Sequence, residues 1–369
     1  MTDNPSRAAG RLTIDLDALV ANWRAMAARA QPAGAAAAVK GDAYGIGIDH
    51  AVRALAAAGC GTFFVALPEE GLRVRAAAPA ATVYVLGGLI GDPADYVAAD
   101  LRPVLNSLPE IEEWAGVRAS GVPTAAALHV DTGMNRLGIA LETCRALAGQ
   151  AGLAEGLGIA LVMSHLACAD TPGHPLNDRQ LLAFRDVAAA MPAVPASLAN
   201  SAGVFLGADY HFDLVRPGIA LYGGRAVQGA PHPMRPVVTL EGRILQVRDV
   251  PAGETVGYGA TETLRRDSRI AIVGVGYADG YIRAAGSTDA RPGASAFAGG
   301  RRIPLVGRVS MDLLALDVTD LPEVGRGDWV ELLSPDIPIS DVAASAGTID
   351  YEYLTGLGRR YARTYVGGE

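Results

Sequence analysis

The chain of 369 residues has little cysteine, no long apolar run and no excess of positive charge. Its three cysteines, Cys60, Cys144 and Cys168, are too few for a disulfide framework and are not spaced as zinc ligands. They read as reduced packing residues, and no metal site is expected. No segment reaches the ~18 apolar residues of a membrane helix. The opening stretch, MTDNPSRAAGRLTIDLDAL, lacks the apolar core of a secretory signal. Lysine and arginine number 31 against 39 aspartates and glutamates, a formal charge of −8 with no basic stripe. Nucleic acid is therefore not expected as a main partner. These absences describe a soluble, cytoplasmic protein without a membrane or nucleic-acid partner, and they exclude little chemistry.

What the chain does have is a 50% hydrophobic composition, enough for a large core, with 45 glycines and 22 prolines that promise many turns. The first two thirds repeat one unit: a short apolar run, a polar or glycine-rich break, then an alanine-rich helical stretch. The runs fall at 36–40, 62–66, 82–86, 103–105, 126–131, 160–165, 197–200 and 213–216. Helical material lies between most of them, at 50–58, 68–77, 141–148 and 178–190. Strands alternating with helices pair in parallel. Eight such units predict an α/β fold, a (β/α)8 TIM-type barrel over residues 1–237, with a doubly wound open sheet as the alternative. After Val238 helical stretches largely vanish, and strand-like runs follow at 238–247, 254–258, 269–275, 303–309, 313–318 and 329–333. Turn signals such as Asp279-Gly280 and Gly299-Gly300 separate them, so residues 238–369 read as a C-terminal all-β domain. Residues 11–16 alternate apolar and polar and could be a strand of either domain.

Barrel enzymes gather their chemistry at the C-terminal ends of the strands. There the runs end in Lys40, Asp131-Thr132-Gly133, Ser164-His165, Asn200-Ser201 and Arg216-Pro217-Gly218-Ile219. Lys40 follows four alanines and a valine. Burial lowers a lysine's pKa, and a neutral amine can form a Schiff base with a carbonyl. From position alone, a surface ion pair at the mouth is the more ordinary reading of this lysine.

Val39-Lys40-Gly41-Asp42-Ala43-Tyr44-Gly45 resembles the pyridoxal phosphate lysine motif of the alanine racemase family. His129-Val130-Asp131-Thr132-Gly133-Met134-Asn135-Arg136-Leu137-Gly138 is similar to that family's second signature, and residues 213–223, around Arg216-Pro217-Gly218, to a third. Gly257-Tyr258-Gly259, Gly276-Tyr277-Ala278-Asp279-Gly280 and Gly307-Arg308-Val309-Ser310-Met311-Asp312 follow in the family's order. The likeness spans nearly the whole chain and implies the same architecture of barrel plus β domain.

The resemblance also implies roles. Pyridoxal 5'-phosphate would be the cofactor and alanine the substrate. Lys40 would hold the cofactor and act as base on the D face. Tyr258 of the other subunit of a homodimer with shared active sites would act on the L face. A free tyrosine has a pKa near ~10, so Tyr258 would need nearby positive charge, and Arg216 with His165 would supply that network. Arg216 would also hydrogen-bond the pyridine nitrogen without giving up its proton, leaving a weaker electron sink. Tyr44, Ser201, Gly218 and Ile219 would hold the phosphate, Asn200 would line the cofactor site, and His165 would abut the ring. Tyr365, which closes an Arg-x-x-Arg-x-Tyr pattern, is the candidate for a further phosphate contact, with Tyr361 close by. Arg136 would hold the substrate carboxylate or the cofactor's phenolate oxygen, the Met311 N–H would also meet the carboxylate while its side chain limits the pocket, and Tyr277 and Asp312 would complete the wall contributed by the second subunit. Asp312 reads equally well as a turn carboxylate. The biological role implied is provision of D-alanine for a cell wall, and catabolism of alanine is equally compatible.

Two departures matter. Many members have a lysine, often carbamylated, seven residues before the arginine of the second signature; here that place is His129, so another group must orient Arg136. The lysine motif continues Tyr44-Gly45-Ile46-Gly47 rather than Tyr-Gly-His-Gly. The alternatives to alanine racemisation are a broader racemase that also takes serine, a fold-type III decarboxylase of basic amino acids, and a non-catalytic pyridoxal phosphate carrier. The decarboxylase would leave the Tyr258 motif without a role, and the carrier would not need the β domain.

Overall fold

Short runs of β-branched and aromatic residues form the strands of the first domain. Thr62–Val65 reads TFFV and Thr82–Val85 reads TVYV, and each is buried on both faces, as a strand flanked by helices must be. The computed structural model describes residues 7–230 and 232–368. Parallel pairing runs from Ala37–Ala38 through Thr62–Val65, Thr82–Val85, Leu101–Leu105, Ala126–Asp131 and Ile159–Met163 to Ala196–Ser197. Backbone bonds from Asp213 N to Ala196 O and from Arg216 N to Ala199 O add Leu214–Val215. That strand pairs in turn with Gly34–Ala35, the opening of the first strand position. The ring closes, which excludes the open doubly wound sheet.

The interior of the ring is filled rather than hollow. Phe64, Tyr84, Val104, Leu161 and Met163 pack against Ala36, Ala38 and Ala127, and the Phe64 and Tyr84 rings stack at 5.0 Å. Small residues on one side make room for aromatic rings on the other, the usual way a barrel is filled. The outer helices turn apolar stripes inward; in Leu16–Ala30 these residues include Leu19, Trp23 and Met26.

The second domain is built on Val238–Val250, which pairs antiparallel with Gly10–Asp15, Ser268–Val273 and Trp329–Leu333. The N-terminal strand Gly10–Asp15 thus belongs to the second sheet, with Leu12 and Ile14 fully buried, and its other edge pairs parallel with Ala362–Val366. Three expectations need correction. Residues 254–258 form an open bend held by one Thr255–Thr263 bridge, because Gly257 and Gly259 adopt φ of +79° and +78° and break the strand around Tyr258. Ser295–Ala298 is an additional strand, in a hairpin with Arg301–Pro304 across Gly299-Gly300. Nor is the domain all-β: the helices Ile339–Ser345 and Asp350–Thr355 lie between its last strands and bury Ile339, Val342, Ala343, Tyr353 and Leu354. No helix among the described residues is long and apolar enough to cross a membrane.

Phe64→Ala should destabilise the protein by about 3–5 kcal/mol, because its neighbours cannot collapse into the gap without breaking the ring. A urea-unfolding midpoint equal to that of the parent would show that the barrel interior is not close-packed at this layer.

Candidate active site

Lys40 ends the first strand position and opens an unusual turn. Gly41, Asp42, Ala43 and Tyr44 all take positive φ, between +53° and +64°, a left-handed turn that brings Ala43 N onto Val39 O and Gly45 N onto Gly41 O. For residues other than glycine this costs roughly 1–2 kcal/mol each, so neighbouring structure must hold it. One Glu70 carboxylate does much of this: Oε1 accepts from Gly41 N (2.6 Å) and Asp42 N (3.2 Å), Oε2 from Ala66 N (2.8 Å) and Leu67 N (3.3 Å). From the other side Arg363 donates to Gly45 O and the Tyr365 hydroxyl to Ile46 O.

Lys40 is the chain's single lysine. Its amine is half-buried and has no carboxylate within ion-pair distance among the described residues, so the surface ion pair expected from position is absent. Burial, then the positive charges of Arg136 and Arg216, push its pKa down, and Glu70 opposes them. The amine is thus biased toward its neutral, nucleophilic form.

Arg216 stands at the end of the eighth strand, buried, with no acid partner among the described residues. It donates to Ser197 Oγ (2.5 Å), Ser164 O (2.6 Å) and Leu198 O (3.4 Å), and lies 3.5 Å from His165 Nδ1. Desolvation pushes its pKa down to about 9, which still leaves a cation near neutral pH. No acceptor among the described residues takes its Nε–H. His165 is held neutral by burial and by the charges of Arg216, Arg136 and Lys40. Asn200 reaches toward His165 Nε2 at 3.5 Å, while its Oδ1 caps the helix Ser201–Leu206 by accepting from Gly203 N. His129 is also buried and neutral, its pKa pushed down to about 4 by desolvation and then Arg216. Its Nδ1 meets Asn106 Oδ1 at 2.7 Å, a partner the sequence did not suggest.

Beside Arg216 lies a cradle of hydroxyls and amides. Ser201 Oγ accepts from Gly218 N (2.7 Å) and Ala220 N (3.3 Å). A Cβ at position 218 would sit 2.2 Å from the Tyr44 hydroxyl oxygen, so only glycine admits that close approach. The Ile219 N–H is not taken by any acceptor among the described residues. Two hydroxyls and a free amide around one glycine suit a phosphate's oxygens, and the unspent Arg216 Nε–H suits a ring nitrogen. The residues fit a phosphorylated pyridine.

The C-terminal tyrosine that lies nearest Tyr44 of this cradle is Tyr351, not Tyr365. Tyr365 lies on the outer flank of the Lys40 turn, its hydroxyl on Ile46 O at 2.8 Å and its ring stacked on His50 at 3.8 Å. Tyr361 is buried against Gly10 of the N-terminal strand. Tyr351, in the first turn of the helix Asp350–Thr355, is the one that approaches Tyr44, with ring centroids 6.1 Å apart. Asp350 docks that helix on the barrel by accepting from Arg225 N at 2.7 Å. The helix was invisible to a reading that took the C-terminal region as all strands.

Arg136 rides on a loop built by Asp131, whose carboxylate accepts from Gly133, Met134 and Asn135 N. Its guanidinium is exposed and has no acid partner among the described residues. Tyr258, Tyr277, Met311 and Asp312 lie instead on an exposed face of the second domain. Tyr258 is 71% exposed, Met311 54% and Tyr277 41%. Their loops are joined: Tyr277 N bonds Ser310 O, Ala278 N bonds Met311 O, and Gly257 packs on Arg308. Arg360 ties them further, with Nε and Nη2 on Asp279 and Nη1 on Asp312 at 2.8 Å. The Asp312 carboxylate is therefore paired within its own face, and the Met311 N–H has no acceptor among the described residues.

Fold and mouth together place the chain among the barrel-type, fold-type III pyridoxal phosphate proteins. Models of "Alanine racemase, N-terminal domain" and "Alanine racemase, C-terminal domain" match residues 14–226 and 237–365. An alanine racemase of Rhizobium meliloti is 53% identical over 98% of each chain. A biosynthetic alanine racemase of Agrobacterium fabrum is 47% identical over 99% of this chain and 96% of its own. The crystal structure of the Bartonella henselae alanine racemase with covalently bound pyridoxal phosphate superposes with a TM-score of 0.91 at 39% identity, covering 97% of this chain and all of that one. The chain belongs to the alanine racemase family.

The buried His129 gives a pH signature. Its folded pKa, about 4, lies below the unfolded value of ~6.5, so its contribution to stability is complete above ~6.5 and is lost as the pH falls toward about 4. His129→Gln should flatten this part of the stability–pH curve, measured by thermal unfolding between pH 4 and 7. Equal slopes in parent and variant would show that His129 is not buried in its neutral form.

Proposed function

We propose that the chain interconverts L-alanine and D-alanine by two bases on opposite faces of the substrate, Lys40 and Tyr258 of a second copy. The observation that carries this reading is Lys40: a half-buried amine without an acid partner, its pKa lowered by burial and two arginines. Pyridoxal phosphate, when bound, supplies a carbonyl for that amine and a conjugated ring that spreads the charge left by the departing α-proton.

The chain's own residues do the rest. Tyr44, Ser201 and the Ile219 amide donate to the phosphate, with Gly218 allowing the approach and Tyr351, rather than Tyr365, as the further tyrosine. Arg216 donates from Nε to the ring nitrogen and keeps its proton, so it orients the ring without protonating it. His165, neutral and positioned by Asn200, lies against the ring. Arg136 holds the substrate carboxylate with a charge-assisted hydrogen bond.

The mouth described so far supplies one base. The second is offered by the exposed face of another copy, where Tyr258, Tyr277 and Met311 present apolar surface and the Met311 N–H is free to meet the carboxylate. A tyrosine brought beside the uncompensated charge of Arg216 loses its proton more readily. In this arrangement the Met311 side chain bounds the pocket and favours a small substrate, while Arg360 holds Asp312 in the wall. The enzyme is then a homodimer with two shared sites.

Tyr258→Phe should lower racemisation by about 10²–10⁴-fold. In deuterated water D-alanine should still exchange its α-proton with retention, because Lys40 remains, whereas L-alanine should not. Lys40→Ala should abolish exchange from D-alanine, the face on which Lys40 acts. Co-expression of the two variants decides whether the site is shared. Mixed dimers that recover activity contain one intact site built from both chains, and mixed dimers that stay inactive would sink the shared-site arrangement.

A further inference from the structure

Four consecutive residues in the left-handed region directly after Lys40 form a segment that its own hydrogen bonds hold only in part. In this turn the first N–H groups, those of Gly41 and Asp42, find no carbonyl within it, and three of the four residues are not glycine. Both amides end on Glu70 Oε1. Glu70 stands in the first turn of the helix Pro68–Ala77, and its Oε2 takes Ala66 N and Leu67 N just beyond the neighbouring strand Thr62–Val65. One carboxylate therefore joins the ends of the first two barrel strand positions through four backbone donors.

We propose that Glu70 is a positioning residue for Lys40, holding the left-handed turn that delivers the amine to the barrel mouth. Were the turn to relax to right-handed or extended backbone, the chain would leave the strand on another path. Gly45 would lose its close fit beneath Leu354, where a Cβ would lie 2.3 Å from the carbonyl oxygen, and Lys40 would be rotated away from Arg216. Both Glu70 oxygens are taken by backbone amides, so it acts through the backbone it binds. Its charge contributes a second effect, since it is the one acid among the groups that shift Lys40. Asp42 supports the same turn more weakly, accepting from Ile48 N at 3.0 Å and pairing with the exposed Arg73. The inference rests on Lys40 being the working amine.

The test uses Glu70→Ala, Glu70→Gln and Glu70→Ala combined with Ala43→Gly. Glycine adopts positive φ without strain, so Ala43→Gly should recover part of what Glu70→Ala loses if the carboxylate's task is to hold this turn. The expected result has three parts. Glu70→Ala lowers kcat at least tenfold with a smaller change in KM. Hydrogen exchange at Gly41 and Asp42 becomes at least tenfold faster while exchange in the other barrel strands is unchanged. The double variant regains activity. Glu70→Gln keeps one acceptor oxygen and removes the charge, so it should fall between parent and Glu70→Ala; it also takes over the comparison if Glu70→Ala does not fold. Because Lys40 is the sole lysine, amine acylation followed by mass spectrometry reads its reactivity in apoprotein. Its half-reaction pH should be lower in Glu70→Gln than in the parent. Unchanged exchange at residues 41–44, unchanged kcat, or no gain on adding Ala43→Gly would each overturn the proposal. Exchange and acylation do not depend on turnover. If they respond while Lys40→Ala stays active, the failure lies in the assignment of Lys40 and not in the role of Glu70.

Discussion

A guanidinium buried without a counter-ion among the described residues stands at the mouth of this barrel. The terminal nitrogens of Arg216 are met by a serine hydroxyl and two backbone carbonyls, not by an acid, and its Nε–H is left over. A lone buried cation is costly to desolvate, and the cost is tolerable where an anionic or lone-pair group comes to meet it. Burial first, and then the positive charges of Arg216 and Arg136, set the rest of the mouth. His165 and His129 stay neutral beside Arg216, and Lys40 is eased toward its free amine. Arg136 adds to the same field. A carboxylate within this group would have quenched it, pairing Lys40 and raising both histidines. Glu70 is close enough to act on Lys40, yet its oxygens are occupied by four amides, so it steadies the backbone without forming an ion pair.

The same charge distribution explains why one chain is an incomplete enzyme under the two-base reading. The mouth is rich in cations and neutral nitrogen bases, and the phenols within it, Tyr44 above all, are buried and pushed further from ionisation. A phenol that must lose its proton is better kept in solvent until it meets the positive field. Tyr258 sits in that position, on an exposed loop that two glycines bend outward. Its neighbours Tyr277 and Met311 supply apolar area that a second copy would cover.

Much of the fold could be read from the sequence because strands in a barrel are short, apolar and bounded by polar breaks, and all eight runs fall on the ring. The pattern was weaker in the second domain. There the bend at 254–258 looked like a strand, since periodicity does not record that Gly257 and Gly259 turn the backbone left-handed. The helices Ile339–Ser345 and Asp350–Thr355 are too short for a clear helical period. The polar residues at strand ends could be found by their place at the mouth. Glu70, Asn106, Tyr351 and Arg360 could not, because each acts through a contact across more than twenty residues of chain, from a helix or loop with no local signature. Tyr365 closes a local pattern whose residues serve a tying purpose within the chain, on Asp279, Gly45 O and Ile46 O.

That purpose connects the two faces of the molecule. The strand Ala362–Val366 runs along the N-terminal strand Gly10–Asp15 as the edge of the second sheet, and Arg360 lies just before it. At one end Arg360 grips Asp279 and Asp312, behind the loops that carry Tyr277 and Met311. At the other, Arg363 and Tyr365 hold Gly45 O and Ile46 O, the far side of the turn that Glu70 holds from within the barrel. A single strand thus fixes the spacing between a protomer's own lysine and the face it would lend to its partner. Two shared sites in a dimer require that spacing to be the same in both directions. A rigid, charge-bolted strand meets that requirement better than a loop would, since the ion pair to the buried Asp279 and the bonds to backbone carbonyls all resist sliding along the strand. The Arg-x-x-Arg-x-Tyr pattern has a geometric reading of its own: residues 360, 363 and 365 each reach a group that must be tied.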